Sequence, residues 1–264
     1  MVMKITSAQN SQYKEWKKLR QKKYRNQRKE YLIEGIKMLE EAVHWENSFK
    51  TILYSSKLFE VNGGKNLYQK LIAKDVPLFE LEHMLLKELC FTENPQGIMA
   101  ILKQSSHFLE DIIDKNHSSI VVLENLQDPG NLGTIIRTAD AAGFDAILLS
   151  EDCVDLYNDK VLRATMGSIF HLPIIEGIRL VKVIPNLIQN GYQVVGSSLY
   201  TNRYYHKVEY SMKKALVIGN EAHGISQSVE KLCTDLVKIP IIGNAESLNA
   251  AIAAGILMYK MQGI

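Results

Sequence analysis

The chain has 264 residues, 46% of them hydrophobic, enough to bury one large or two modest cores and too apolar for a disordered or fibrous protein. Its formal charge of +2 is unevenly spread: residues 1–30 hold ten Lys and Arg against two Glu, a local +8 that leaves the remainder at −6. Cys90, Cys153 and Cys233 are odd in number and far apart, with no C-x-x-C pair, so neither a disulfide framework nor a thiolate metal site is signalled; a reducing cytosol fits.

The N-terminal MVMKITSAQNSQYKEWKK lacks an apolar leader core. The longest apolar stretch, 247–259, is too short and too polar at its start to span a bilayer, so a soluble cytoplasmic protein without a membrane role is expected. KEWKKLRQKKYRNQRK, Lys14 to Lys29, reads as a basic helix that interleaves Tyr13, Trp16 and Tyr24 with cations. That mixture suits phosphate contact plus stacking on unpaired bases, and marks Lys14, Lys17, Lys18, Lys22, Lys23, Arg25 and Arg28 as candidate RNA contacts. A solvated helix face or a localisation-like basic run would have the same composition.

YLIEGIKMLEEAVHW (31–45) places Leu32, Ile36, Leu39 and Val43 at helical spacing and predicts a helix, with TILYSS (51–56) a strand behind it. VNGGKN (61–66) reads as a turn, 67–75 as a short amphipathic helix, and VPLFELE and PQGIMAILK (95–103) as strands. This predicts a small α/β domain over 1–104. Residues 105–119 are expected to connect it to a second domain, 120–264.

From Ile120 the strands lengthen into continuous Val/Ile/Leu runs: IVVLE, AILLS, QVVGSSL, ALVIG and LVKIP. Helices are predicted over 131–142, 225–233 and 248–262, with a helix or loop in the middle. Unbroken apolar strands are buried on both faces, which predicts a parallel sheet covered by helices on each side. Ligands on such sheets bind beyond the carboxyl ends of the strands, and three strands here end in loops rich in Gly, Asn and acidic or hydroxyl residues.

In the first loop, DPGNLGTIIRTADAAG, Pro129 and Gly130 force a turn and Asn131 is expected to cap the helix. Arg137 shares a helix face with Gly133, Thr134 and Asp140, within reach of a phosphate or developing oxyanion. A surface Arg paired with Asp140 is the plainer alternative. The second loop, GNEAHG (219–224), has neither the glycine spacing of a dinucleotide fingerprint nor a Walker lysine. Glu221 there is a general base, a hydrogen-bond acceptor or a loop-fixing carboxylate, and His223 has no second ligand at metal spacing, so no metal is expected. The third, IPIIGNAESLNAAIAAG, enters a helix capped by Ser247 or Asn249 whose small residues allow close packing against another segment or a second subunit.

These residues carry a resemblance. N-x-G-x-x-x-R (Asn131, Gly133, Arg137), L-V-x-G-N-E (Leu216–Glu221) and I-P-x-x-G-x-x-x-S-L-N (Ile239–Asn249), in that order, resemble the three motifs of the SpoU (TrmH-type) RNA 2′-O-ribose methyltransferases. YLIEGIKMLEEA and NPQGIMAIL resemble the RNA-binding domain that precedes the catalytic domain in many members. The resemblance implies a trefoil-knotted parallel-sheet α/β fold, an exception to the rule against knots, that binds S-adenosylmethionine and works as a homodimer. It implies cofactor contacts from Ser198, Leu199, Gly219, Asn220, Ile239 and Leu248. Asn131, Arg137, Glu221, Ser247 and Asn249 would surround the reacting ribose, and Arg163, within LRATMGSIFHLP (162–173), and Thr165 would contact RNA. The sequence departs from the family at Ala222, where Gly is usual, and at Ala250–Ala251, where Val-Ser is usual. A guanidinium stays protonated, so Arg137 is expected to grip phosphate and stabilise the 2′-oxyanion while Glu221, the target's own phosphate or water takes the proton. Ribosomal RNA is the favoured substrate, with transfer RNA or a non-catalytic assembly role as alternatives.

Overall fold

Apolar strand residues build two separate sheets. The computed structural model describes residues 2–113 and 117–264 and falls into two compact units: residues up to 105 with 157–170, and 106–156 with 171–264.

The first unit runs β1 (Val2–Ile5), α1 (Ser11–Lys18), α2 (Lys22–Arg28), β2 (Glu30–Glu34), α3 (Ile36–His44), β3 (Phe49–Tyr54), α4 (Gly64–Ile72), β4 (Leu78–Leu81), α5 (His83–Leu89) and β5 (Ile98–Lys103). Its sheet has the order β1-β4-β3-β5-β2, with β1, β4 and β3 parallel and β5 antiparallel to both β3 and β2. The predicted helix over 31–45 is a strand and a helix. Residues 30–34 pair with β5, Gly35 turns the chain at φ 93°, and only from Ile36 does the helix begin. Leu32 faces the core in either conformation, which is why its spacing misled.

The predicted basic helix is likewise two helices broken at Leu19–Gln21. Tyr13 and Trp16 are buried in one core cluster with Leu19, Leu53, Phe79 and Met99, and Trp16 meets Phe79 edge to face at 4.9 Å. Burial of each ring stabilises by about 1.5–3 kcal/mol, so both are core residues and not base-stacking platforms. Gly64 sits in the predicted turn 61–66 but opens α4, and a Cβ there would run into the Leu58 carbonyl.

The second unit begins with α6 (Glu110–Ile113), so part of the expected connection 105–119 is built into it. Ile112 and Ile113 join its core, Ser118 opens the first strand, and residues 114–116 lie outside the described residues. β6 (Ser118–Leu123), α7 (Pro129–Ala141) and β7 (Ala146–Ser150) follow. The chain then contributes α8 (Asp159–Thr165) to the first unit, inside the range expected for the second domain. β8 (Ile174–Ile178), α9 (Leu180–Gln189), β9 (Gln193–Ser197), β10 (Lys213–Ile218), α10 (Gln227–Glu230), β11 (Asp235–Val237) and α11 (Ala250–Gln262) complete it. α10 is a single turn where nine helical residues were predicted.

The six strands are parallel in the order β11-β9-β10-β6-β7-β8. Every residue of β6 is buried, as its unbroken apolar run predicts. β7 and β8 extend the sheet on one side of β6 and the later strands extend it on the other. The order therefore reverses between β6 and β10, where Leu123 lies opposite Ile218 and the N–H of Glu124 donates to the Ile218 carbonyl at 2.9 Å. A reversal of this kind opens a crevice at the strand ends.

Candidate active site

The loops leaving β6 and β10 start side by side, and the one leaving β11 is tied to them by side chains. Asp128, not Asn131, caps α7: its carboxylate accepts the Asn131 N–H at 2.7 Å, and Pro129 takes the first helical position, where no donor is needed. Asn131 is thereby released from capping. Its Nδ2 donates to Glu221 Oε1 at 3.1 Å, and its Oδ1 accepts from Asn249 Nδ2 at 2.9 Å. Asn249 caps α11 with its other amide atom, Oδ1 accepting from Ala251 and Ile252, which fixes the direction of its Nδ2. Glu221, Asn131 and Asn249 form one hydrogen-bonded chain across the three loops.

Glu221 is further saddled by the N–H groups of Asp128 (3.0 Å) and Gln127 (3.2 Å). Partial burial pushes its carboxyl up, but the Asp128 N–H, the Asn131 amide and the Gln127 N–H outweigh that and hold it below the ordinary carboxylate range. A carboxylate with depressed pKa and both oxygens engaged is a poor proton acceptor. The hydrogen-bond-acceptor and loop-fixing readings of Glu221 describe the same three contacts, which tie it to the first loop.

The GNEAHG loop is closed by reciprocal bonds between Asn220 and Gly224, at 2.9 and 2.8 Å. Gly219 lies so close to the Gly224–Ile225 backbone that a Cβ would overlap it, which explains a glycine there without reference to any ligand. The Asn220 side chain accepts from Ala222 and His223 and donates to the Asn125 carbonyl at 2.8 Å. Asn125, at φ 51°, and Gln127, whose amide donates to Asn125 Oδ1 and the Asp152 carbonyl at 2.6 Å each, were missed by sequence reasoning. The N-L-Q-D run ahead of Pro129 was the available signal, since Asn and Asp favour local side-chain turns. Glu124 is a further omission: it accepts from the Ser226 N–H at 2.8 Å and hydroxyl at 2.6 Å, fastening the start of α10.

Arg137 is exposed on α7, and its side chain has neither a hydrogen bond nor an ion pair among the described residues. The alternative pairing with Asp140 does not form, because Asp140 is held by His171 Nδ1 at 2.7 Å. From Ile239 to Leu248, among the described residues, no main-chain N–H or C=O makes a hydrogen bond; Ser247 and Leu248 are exposed. Ser198 is buried and its N–H donates to the Val237 carbonyl at 2.9 Å, while Leu199 is half exposed. Open main-chain donors and acceptors on a loop that follows β11 and ends at the exposed Leu248 fit a nucleoside-bearing ligand, which needs a hydrogen-bonded base edge and apolar cover. No cluster of three metal-ligating side chains occurs among the described residues.

In the first unit the basic residues differ in availability. Arg25 is buried and donates to the Leu19 (2.9 Å) and Arg20 (2.8 Å) carbonyls, capping the end of α1, so it is withdrawn from the RNA-contact set. Lys17 pairs with Glu88 at 2.9 Å, Lys18 with Glu15 at 2.6 Å, Arg28 with Glu15, and Lys14 bonds Gln9. Lys22 and Lys23 are exposed, Lys23 lying 5.9 Å from the Tyr24 ring centre. Arg163 is half exposed and pairs with Asp159. Thr165 is fully buried, its hydroxyl spent on the Leu162 carbonyl, which removes it as an RNA contact.

Residues 118–259 match the SpoU rRNA Methylase family and residues 10–100 the MRM3-like substrate binding domain. The 23S rRNA (guanosine(2553)-2'-O)-methyltransferase RlmP of Bacillus subtilis is 36% identical over 98% of this chain and 99% of its own. The crystal structure of an AdoMet-bound rRNA methyltransferase from Sinorhizobium meliloti superposes with TM-score 0.89 at 32% identity, covering 99% of this chain and 98% of that one. The SpoU methyltransferase AviRb of Streptomyces viridochromogenes, in complex with AdoMet, gives TM-score 0.87 at 27% identity over 97% and 98%. With its motifs on three adjoining strand-end loops and a match over more than half its length, the chain belongs to the SpoU rRNA methylase family.

Proposed function

We propose that this protein methylates a ribose 2′-hydroxyl of ribosomal RNA, using S-adenosylmethionine. The observation that carries the reading is the Glu221–Asn131–Asn249 chain, which joins the family's three motifs into one site. The cofactor supplies an electrophilic methyl group on a sulfonium. The open main chain of Ile239–Leu248, with Ser198, Leu199, Gly219 and Asn220, binds it. Arg137, whose side chain has no partner among the described residues, grips phosphate and stabilises the developing 2′-oxyanion. Glu221 is a positioning residue that holds Asn131 and the first loop, so the proton leaves to the target's phosphate or to water. Ser247 borders the ribose. Lys14, Lys17, Lys18, Lys22, Lys23, Arg28 and Arg163 contact RNA.

Ribosomal RNA is favoured over transfer RNA because the similarity to RlmP spans both units, including the substrate-binding part. The family resemblance supports a trefoil knot through the Ile239–Asn249 loop. A homodimer is supported by α11, whose Ile252 is 55% and Tyr259 39% exposed on an otherwise apolar, small-residue helix. No helix among the described residues is long and apolar enough to cross a membrane, and a ribosomal substrate supports a cytoplasmic location. Calorimetry with S-adenosylmethionine, followed by mapping of 2′-O-methyl sites in rRNA and tRNA from cells with and without the protein, tests the reading. Absence of cofactor binding leaves a non-catalytic assembly factor, and a lost site in tRNA alone would exchange the substrate.

A further inference from the structure

Leu199–Lys207 (LYTNRYYHK) leaves the end of β9 and carries aromatic and cationic side chains that neither the core nor the three-loop network uses. Its main chain is fixed. Tyr205 N–H donates to the Lys238 carbonyl at 3.1 Å, Lys238 N–H donates to the Arg203 carbonyl at 3.0 Å, and Thr201 Oγ1 reaches the Leu236 carbonyl. Arg203 is anchored by an ion pair to Asp235 of β11. The segment therefore lies against the end of β11, one residue before the open Ile239–Leu248 loop begins. On this frame the Tyr204 and His206 rings stack at 5.7 Å with planes 9° apart, and Lys207 and Lys238 place their ammonium groups 5.7 and 5.3 Å from the Tyr204 ring centre. Tyr200 is 94% exposed while its N–H is tied to Ser198 Oγ, so its backbone is held and its ring stands in solvent.

We propose that this ridge is a stacking platform for single-stranded RNA beside the target ribose. Tyr200 and the His206–Tyr204 pair receive base faces, and Lys207 and Lys238 receive phosphates. The proposal rests on the RNA-methylating reading above and adds to it the place where flanking nucleotides lie. Rings alternating with cations on a fixed backbone match a flexible polyanion whose every unit has a π face. Base-paired RNA has no free base face to offer, so an unpaired strand is the occupant. An acidic protein partner would use the cations and leave Tyr200 without a role.

The test uses the full-length protein, a fluorescein-labelled single-stranded RNA of about a dozen nucleotides, within the span such surfaces cover, and anisotropy titrations at several salt concentrations. Tyr200→Ala is expected to weaken RNA binding about five- to tenfold and Tyr200→Phe to stay within about twofold, as stacking requires. Lys207→Ala should lower the salt slope by about 0.7, one single-strand phosphate contact. Affinity for S-adenosylmethionine, measured calorimetrically, should be unchanged in all three. Wild-type affinity for RNA in Tyr200→Ala overturns the proposal. So does conversion of a dimer to monomers by Tyr200→Ala in sedimentation velocity, which would make the ridge a subunit contact. A wild-type protein that binds RNA but not S-adenosylmethionine would overturn the methyltransferase reading and leave the ridge standing; one that binds S-adenosylmethionine but not this RNA overturns the ridge and leaves the methyltransferase reading standing.

Discussion

Arg137 and Glu221 show how neighbours decide what a charged residue can do. Arg137 is exposed and unpaired among the described residues, while Asp140, one turn on, is held by His171. The planar fork of Arg137 is then free for a bidentate oxyanion or phosphate, a geometry Lys cannot copy. Arg137→Lys should cut turnover at saturating RNA by about tenfold to a hundredfold while leaving cofactor affinity unchanged, the loss expected of an oxyanion contact; near wild-type turnover would remove the fork from the mechanism. Glu221 is fixed by three donors and its folded carboxyl lies below the ordinary value of 4.5. Its contribution to stability is therefore complete above about pH 4.5 and lost as pH falls through the lower folded value. Glu221→Gln keeps one acceptor oxygen but turns an NH₂ toward backbone donors. It should lower unfolding free energy by about 1 kcal/mol, at the modest end because the carboxylate is largely exposed, and flatten the acid limb of the stability profile. An unchanged acid limb would show that the saddle is not formed in solution.

At the scale of elements, the basic N-terminal segment separates into structural and available cations. Lys22→Ala with Lys23→Ala should reduce the salt slope of RNA binding by about 1.4 to 1.8 for two phosphate contacts, without altering the thermal midpoint. Arg25→Ala should instead destabilise by about 1–3 kcal/mol, because the buried Leu19 carbonyl and the partly buried Arg20 carbonyl lose their charged donor. Equal salt effects from both would contradict the division. The same contrast explains which elements the sequence made legible. β6, β7, β9 and β10 were readable because strands buried on both faces leave an unbroken apolar run. β2 was not, since Leu32 satisfies a helical spacing and a strand face alike and only pairing with β5 decides. α9 was hidden by its internal Pro185, and α10 ran short because Ser226 caps it and the Thr234 N–H already donates to the Val194 carbonyl of β9. In the site, the motifs revealed which residues meet, but not that Asp128 takes the cap and frees Asn131, because Asn and Asp compete for that position on nearly equal terms.

At the scale of the whole molecule, the chain passes between the two units three times, at 105/106, 156/157 and 170/171. Residues 157–170 complete the first unit: Tyr157 packs on Tyr31 at 4.4 Å between ring centres, and Gly167 lies against Glu41. Tyr31 is buried deeply enough that its phenol is pushed well above the ordinary range. A fragment ending at residue 105 would expose that ring and is expected to melt well below the full chain and to bind a hydrophobic dye, whereas a version carrying 157–170 on a flexible linker should recover. No single cut of the chain separates the two units. Moving the first unit between relatives therefore means exchanging two separate stretches of the chain together, and a graft of the first stretch alone arrives without the Tyr157 ring that covers Tyr31.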